Sequence, residues 1–281
     1  MARMRNLEEA YRLIRESPHH ATVESWTSIM NLYTELGHSF SALSVFREMQ
    51  EEGMVNPSKD TFLCVLKVCA RLGSLEKAHN IHDSILRNGF ELDPRIRSSL
   101  VYLYAKCHSL VDAQKVFDGL NGDDVAAWNA LIGGYAQHGQ TNEALECFLQ
   151  MRGEGIAPNA VTFSCILKAC GNGGGNAKKL QELHVDITKQ GFEKDTFIQN
   201  ALVDVYGRFG LLLDARNLFD EVSDRDVVTW NALISGYIEH GHHEEALNLS
   251  SYMYDEGILP NASSYILSLK ACCHLENQQK G

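Results

Sequence analysis

The pentapeptide WNALI occupies residues 128–132 and recurs 102 residues later, at residues 230–234. Both copies continue through a tyrosine to a His-Gly pair and then to Glu-Ala-Leu. A looser copy in the same register begins at Trp26, 102 residues before Trp128. Self-similarity at a fixed period indicates a repeat architecture in which each repeat is one supersecondary unit.

Each block of 102 residues divides into three related units, of which the third is shorter, at 31 residues. Within a unit, apolar residues recur at spacings of three and four in two stretches separated by a turn. This pattern predicts two amphipathic helices per unit. The predicted units, of which the first and last are incomplete, are residues 1–22, 23–58, 59–93, 94–124, 125–159, 160–195, 196–226, 227–261 and 262–281.

One helical hairpin cannot bury its apolar face alone, whereas stacked hairpins bury a continuous core. The sequence therefore predicts an all-α fold, a superhelical solenoid of antiparallel hairpins that spans residues 1–281 as one domain with a groove along it. Both ends of the sequence fall inside a hairpin. We therefore interpret the chain as a piece of a longer array.

The composition restricts the classes of partner. The net charge of −11 argues against nucleic acid, because affinity for phosphate backbones comes largely from Lys and Arg. An acidic outer surface with a locally basic groove would remove this objection. We expect no membrane segment, since no apolar run approaches the ~20 residues that span a bilayer. The eight cysteines form no C-x-x-C pair, which favours free thiols in a reducing compartment.

The rotation of standard, longer and shorter units resembles the pentatricopeptide repeats of the plant PLS subfamily. The standard unit at residues 227–261 carries the resemblance most clearly, with VVTWNALISGYIEHGHHEEAL followed by GILPN. Tetratricopeptide repeats differ, because they keep a 34-residue period and have glycine where Ile132 stands here. The resemblance implies a right-handed solenoid in a mitochondrion or chloroplast that binds single-stranded RNA, with no cofactor and no enzymatic activity of its own.

In this family each unit binds one nucleotide, with the N-terminus toward the RNA 5′ end. The fifth and the last residue of a unit hydrogen-bond the base edge, and the second residues of successive units enclose the base. The resemblance implies base-reading pairs Thr27 with Ser58, Ser98 with Asp124, Asn129 with Asn159, Asn200 with Asp226, and Asn231 with Asn261. It implies base-enclosing roles for Ala126, Phe197 and Val228, whereas Glu24 departs from the apolar residue expected at that position.

These pairs imply the preference purine, any, guanine, pyrimidine, any, uracil, pyrimidine. The units that begin at residues 59 and 262 are predicted spacers, because their fifth residues, Leu63 and Ile266, cannot hydrogen-bond a base. Ser164 in the unit at 160–195 is assigned no base.

Structural roles compete with these assignments. The asparagines and aspartates can be helix N-caps, which is compatible with base reading. The tryptophans follow the hairpin period and are predicted to be core residues rather than stacking platforms for bases. The pairs Cys64/Cys69 and Cys165/Cys170 are predicted core thiols, because the third copy replaces its first cysteine with Leu267, which cannot bind zinc.

The function that we expect is sequence-specific RNA binding as the recognition part of a C-to-U editing factor. The H-x-E segments at 242–244 and 274–276 are not followed by C-x-x-C, so a deaminase would have to come from further sequence or from a partner protein. The alternatives are a tetratricopeptide-like scaffold for proteins or peptides, which the acidic charge favours, and a non-functional fragment.

Overall fold

The computed structural model of the chain describes residues 2–16, 21–52, 55–119, 124–174 and 176–279. These residues form 16 α-helices and no β-strand. The outermost residues of the predicted array, Met1, Lys280 and Gly281, lie outside the described residues.

The helices alternate between the first and the second helix of each unit. The first helices are α2 (Val23–Glu35), α4 (Lys59–Leu72), α6 (Pro94–Lys106), α8 (Val125–Gln137), α10 (Ala160–Ala169), α12 (Thr196–Arg208), α14 (Val227–Glu239) and α16 (Ala262–Gln279). The second helices are α3 (Ser39–Glu52), α5 (Leu75–Arg87), α7 (Leu110–Asp118), α9 (Thr141–Gly153), α11 (Ala177–Lys189), α13 (Leu212–Glu221) and α15 (His243–Asp255). An additional helix, α1 (Ala2–Glu16), precedes α2.

The first helices begin at capping side chains. Ser58, Asn159 and Asp226 each accept hydrogen bonds from backbone N–H groups of the following first turn. Such a cap satisfies donors that have no partner inside the helix. Asp93 caps α6 in the same way, and Pro94 follows it at the first helical position, where no N–H is required. The last residue of a unit is therefore also the N-cap of the next first helix.

The turn after α10 is wider than its counterparts. Residues Cys170–Gly174 form a π-type turn that includes Gly173 at a φ of 101°, a conformation that L side chains rarely adopt. The side-chain amide of Asn172 donates to the Ala136 carbonyl at 2.8 Å. The glycine-rich segment is thus a structural turn between two helices.

The chain divides into two compact units, residues 1–134 and 135–281. In the first unit α4 packs against α2 and α6, and α3 packs on both α2 and α4. In the second unit α12 packs against α10 and α14, and α14 packs against α15 and α16. Within each unit the first helices therefore form a continuous layer.

The three tryptophans belong to the core, as the sequence predicts. Trp26, Trp128 and Trp230 are each at most 2% exposed. Trp128 packs edge-on against Phe117 of α7, with ring centroids 4.5 Å apart, and Trp230 repeats this contact with Phe219 of α13 at 4.7 Å. Large buried aromatic rings of this kind dominate core energetics.

Candidate nucleic-acid interface

The best-defined predicted pair is Asn200 with Asp226. Asn200 lies one turn into α12, and Asp226 caps α14, so the packing of these two helices brings them together. The Asn200 amide nitrogen lies 3.5 Å from a carboxylate oxygen of Asp226, which makes the direct hydrogen bond weak. The Thr229 hydroxyl lies 2.6 Å from Oδ1 of Asn200 and 3.0 Å from Oδ1 of Asp226. Thr229 therefore holds both side chains in place.

A hydroxyl at the third residue of a unit recurs at this position. Five described third residues carry one, and each hydrogen-bonds the last residue of the preceding unit. Ser25 is half-buried, and the other four are buried: Thr61, Thr162, Thr229 and Ser264. Sequence reasoning missed these residues. The signal was present, because a capping residue followed three positions later by a side chain that returns a hydrogen bond is a capping box.

Asn231 and Asn261 also lie together. The Asn231 amide donates to Oδ1 of Asn261 at 3.3 Å. Ser264, the third residue of the next unit, hydrogen-bonds Asn261 at 3.2 Å. Oδ1 of Asn231 is buried and has no hydrogen-bond partner within the described part of the chain. Oδ1 of Asn231 is therefore an acceptor without a hydrogen bond among the described residues, whereas Oδ1 of Asn200 accepts one from Thr229.

Thr27 and Ser58 are joined through Thr61. The hydroxyls of Thr27 and Thr61 lie 2.7 Å apart, and those of Thr61 and Ser58 lie 3.1 Å apart. Thr27 is buried and also donates to the Val23 carbonyl at 2.8 Å. Its hydroxyl is thus engaged within the protein, although the residue borders a surface cavity between α2 and α4.

The remaining predicted pairs are placed as follows. Ser98 is half-buried and donates to the carbonyl of Pro94 in its own helix at 3.0 Å. Asp124 accepts a hydrogen bond from the Ala126 backbone at 2.9 Å. Asn129 lies half-buried on α8 in the first compact unit, whereas Asn159 caps α10 in the second.

The predicted base-enclosing residues are solvent-accessible. Phe197 is 80% exposed and Val228 is 54% exposed, and Ala126 is also exposed. A ligand that covered the Phe197 ring would remove its apolar surface from water, which is favourable. Glu24 is exposed at the equivalent position of α2, and sequence reasoning overlooked the exposed Val161 of α10.

In the unit at 59–93 the last residue, Asp93, forms an ion pair with the first, Lys59. Lys59 Nζ lies 2.5 Å from a carboxylate oxygen of Asp93. Partial burial would raise the pKa of Asp93, but the hydrogen bond from Lys59 and those from the Ile96 and Arg95 backbone outweigh it and lower the pKa. Asp93 is therefore already neutralised by a cation, and Leu63, the fifth residue of the same unit, is half-buried.

Asp226 has a different environment. Burial alone would raise the pKa of its carboxyl, but hydrogen bonds from Thr229, Val228 and Asn200 lower it below the ordinary value of 3.8. Asp226 is therefore ionised at neutral pH and can only accept hydrogen bonds.

The charge is unevenly divided between the two kinds of helix. The first helices, α2 to α16, contain nine Lys and Arg residues against six Asp and Glu residues. The second helices, α3 to α15, contain nine Lys and Arg residues against 17 Asp and Glu residues. The first helices therefore carry a net charge of +3 and the second helices a net charge of −8. The residues outside the helices carry a further −7, among them the predicted base-reading residues Asp124 and Asp226.

The described residues also bear on metal binding, thiol reactivity and membrane insertion. They contain no group of three or more His, Cys, Asp or Glu side chains placed to hold a metal ion. Burial raises the pKa of the Cys69 thiol to about 12 and also raises that of Cys170, so both stay protonated. None of the described helices has the length and apolarity required to cross a membrane.

Family models match most of the chain. A PPR repeat family model matches residues 123–172 and 225–274, and a PPR repeat model matches residues 24–54, 60–90 and 200–227. Among similar Arabidopsis thaliana proteins, pentatricopeptide repeat-containing protein At4g21065 is 35% identical over 89% of this chain and 42% of its own length. The chloroplastic protein At4g18520 is 33% identical over 91% of this chain and 41% of its own length. The mitochondrial protein At2g03880 is 33% identical over 95% of this chain and 41% of its own length.

The chain thus spans about two fifths of the length of these relatives. A solved structure of the pentatricopeptide repeat protein PPR10 in complex with an 18-nt psaJ RNA element aligns with a TM-score of 0.74 at 20% identity, over 94% of this chain and 40% of that one. PPR10 from maize aligns with a TM-score of 0.55 at 18% identity, over 97% of this chain and 45% of that one. These matches confirm the all-α solenoid fold class that the sequence predicts. The chain belongs to the pentatricopeptide repeat family.

Proposed function

We propose that this chain binds single-stranded RNA along its first helices, with one nucleotide at each complete unit, and that the fifth and last residues select the base in the units to which a base is assigned. The observation that carries the proposal is the site formed by Asn200, Asp226 and Thr229. Two polar side chains are held together there, and exposed apolar residues, Phe197 and Val228, stand at the second positions of the two units that contribute them.

The chemistry of this site suits a base. An ionised carboxylate such as Asp226 accepts a hydrogen bond and cannot donate one. Uracil and guanine have a ring N–H on their Watson–Crick edge, so Asp226 favours them over cytosine and adenine. The Asn200 amide can both donate and accept. The faces of the base would cover Phe197 and Val228 and remove their apolar surface from water.

The proposed preference, from the 5′ end, is purine, any, guanine, pyrimidine, any, uracil, pyrimidine. The ion pair of Lys59 with Asp93 supports a spacer role for the unit at 59–93, because it occupies the residue that would otherwise read a base. The charge distribution weakens the objection raised by the net charge of −11, since the first helices carry a net charge of +3 and the second helices one of −8.

We further propose that the protein acts in a mitochondrion or chloroplast, as the recognition part of a C-to-U editing factor with a deaminase supplied elsewhere. The names of the relatives, which include mitochondrial and chloroplastic proteins, support an organelle. PPR10, a protein with the same fold, was solved in complex with an 18-nt RNA element, which supports RNA as the ligand.

The test is fluorescence anisotropy of the chain with a labelled RNA that contains 5′-AAGUAUC-3′, which satisfies every proposed position. The control RNA contains the same nucleotides in reverse order, and a panel varies one nucleotide at a time. We expect tighter binding to the matched RNA and the sharpest discrimination at the uracil opposite Asn200. Equal binding to all RNAs would reject base reading. Absence of RNA binding would reject the function and favour the peptide-scaffold alternative.

A further inference from the structure

A lysine recurs at the ninth residue of the units that begin at residues 59, 160 and 262. These residues are Lys67, Lys168 and Lys270, on α4, α10 and α16. All three are exposed. None of them forms an ion pair with an acidic side chain within 4 Å in the described ranges. Within those ranges no salt bridge fixes any of the three.

Other cations of the first helices are engaged within the protein. Lys59 pairs with Asp93, Arg208 pairs with Asp204 at 3.0 Å, and Arg71 donates to the Thr34 carbonyl. The contrast indicates that the three lysines are not needed to hold the fold together.

The register of the lysines places them on the candidate interface. Each stands four residues after the fifth residue of its unit, Leu63, Ser164 or Ile266. Residues four apart lie on the same face of a helix, roughly 6 Å along its axis. Each lysine therefore follows a position to which no base is assigned, on the face that would meet the strand.

In the first compact unit the placement can be seen directly. A surface cavity of about 560 Å³ is lined by Lys67 together with Thr27, Ser58 and Leu63. The other charged residues that line it are Arg95, Glu24 and Asp60. Glu24, Asp60 and Arg95 each stand at the second residue of their helix. Lys67 lies almost two turns further along α4, so its charge stands apart from the two carboxylates.

In the second unit, the charge of Lys168 acts on Asp204 of α12. Lys168 favours the charged form of Asp204, although burial is the larger effect and raises the pKa of that carboxyl. Asp204 is already paired with Arg208, and Glu239 of α14 also acts on it. Lys168 therefore remains able to bind another anion.

We propose that Lys67, Lys168 and Lys270 bind the phosphodiester backbone of the single strand, so that units without a base-reading pair anchor the RNA instead of reading it. This inference rests on the proposed function. Phosphate contacts fix the position of a strand and carry no sequence information. They also release counterions, so their loss weakens the salt dependence of binding, by about 0.7 in the slope of log K against log[salt] per contact for single strands.

The experiment compares two triple variants of the whole chain at several salt concentrations, with the RNA that contains 5′-AAGUAUC-3′. One is K67Q/K168Q/K270Q. The matched control, K115Q/K178Q/K189Q, removes three exposed lysines from the second helices α7 and α11. We expect the first variant to bind more weakly, with a slope reduced by about 2, and with unchanged preference at the uracil. The control should keep the slope of the unmodified chain.

The variant K67R/K168R/K270R keeps the charges and should keep the slope. An equal loss in both glutamine triples would overturn the inference, because any lysine would then serve. An unchanged slope in K67Q/K168Q/K270Q, or a lost base preference, would overturn it as well. If the unmodified chain binds RNA without discriminating bases, base reading fails while the lysine contacts can still be supported by the slope. If it binds no RNA, both proposals fail.

Discussion

Gly207 of α12 and Gly236 of α14 meet where the two helices cross, so closely that a Cβ on Gly236 would lie 2.7 Å from the Cα of Gly207. Only residues without a side chain allow this approach. The first compact unit has a related contact 102 residues earlier, where a Cβ on Gly134 would lie 2.7 Å from that of Ala105. The crossing sets the distance between α12 and α14, and with it the separation of Asn200 from Asp226.

We expect Gly236→Ala to lower the free energy of unfolding, by about 1–3 kcal/mol, because backbone atoms cannot move aside for the new methyl group. The gain in helix propensity of about 1 kcal/mol would offset part of this loss. Urea denaturation measures the difference. Gly153→Ala on α9 is the matched control, since nothing lies within 4 Å of its Cβ, and it should be neutral or stabilising. Equal stability of G236A and the unmodified chain would contradict the packing argument.

Thr229→Val tests the hydroxyl that joins Asn200 to Asp226. The change keeps the volume and removes hydrogen bonds to two polar side chains, so we expect a loss of about 1–3 kcal/mol in unfolding free energy. We also expect weaker discrimination at the uracil, because Asn200 loses the partner that orients it. Thr188→Val is the control, since Thr188 is exposed on α11 and bonds only its own helix. A T229V chain that discriminates uracil as before would show that Thr229 has only a structural role.

Asn200→Thr tests base reading itself. The change replaces an amide with a hydroxyl beside Asp226 and imitates the proposed guanine pair, Ser98 with Asp124. We expect preference at this nucleotide to move from uracil toward guanine, by about 1–3 kcal/mol in relative binding free energy, on the scale of good base contacts in DNA. Competition between RNAs that differ only there provides the measurement. The other positions serve as internal controls, and a uniform loss across the RNA panel would count against the assignment.

Two half-buried histidines, His82 and His184, predict sensitivity to acid. Nδ1 of His82 lies 2.8 Å from the hydroxyl of Tyr104, and His184 repeats this contact with Tyr206 at 3.0 Å. Burial lowers the pKa of both histidines below the ordinary value of 6.5. The folded state therefore favours the neutral rings, whose contribution to stability is complete above about pH 6.5 and is lost as the pH falls below it.

We expect the free energy of unfolding to fall between pH 7 and 5.5, and to fall less steeply in H82Q/H184Q. The variant Y104F/Y206F keeps the half-buried rings of His82 and His184, so it should retain most of the dependence of the unfolding free energy on pH. Urea titrations at each pH measure these slopes. Parallel curves for H82Q/H184Q and the unmodified chain would assign the acid sensitivity to other groups.

The sequence was sufficient for the helices because their limits depend on local chemistry. The first helices begin where the repeat pattern predicts a new unit, and Asp93-Pro94 or Asn159 at a helix start can be recognised without any tertiary contact. The buried tryptophans followed in the same way from their period. Periodicity identifies which face of a helix is apolar, and the apolar face packs inward.

The sequence did not reveal how side chains of different helices meet. The bond between Thr229 and Asn200 joins residues 29 apart, and its existence depends on the distance at which α12 and α14 cross. The burial of the Thr27 hydroxyl depends in the same way on Thr61. Sequence reasoning treated Thr27 as a free hydrogen-bonding group, and only the packed helices show that its hydroxyl already has protein partners.

The hydroxyl at the third residue has a consequence for anyone who rearranges these units. Thr229 and Thr61 stand beyond the formal end of the unit whose polar side chains they fix. If a unit were transferred to another array with its boundary at the start of a helix, Asn200 and Asp226 would lose the Thr229 hydroxyl that holds them. A segment that is to be transferred must therefore include the third residue of the following helix. A designed array should be joined after that residue.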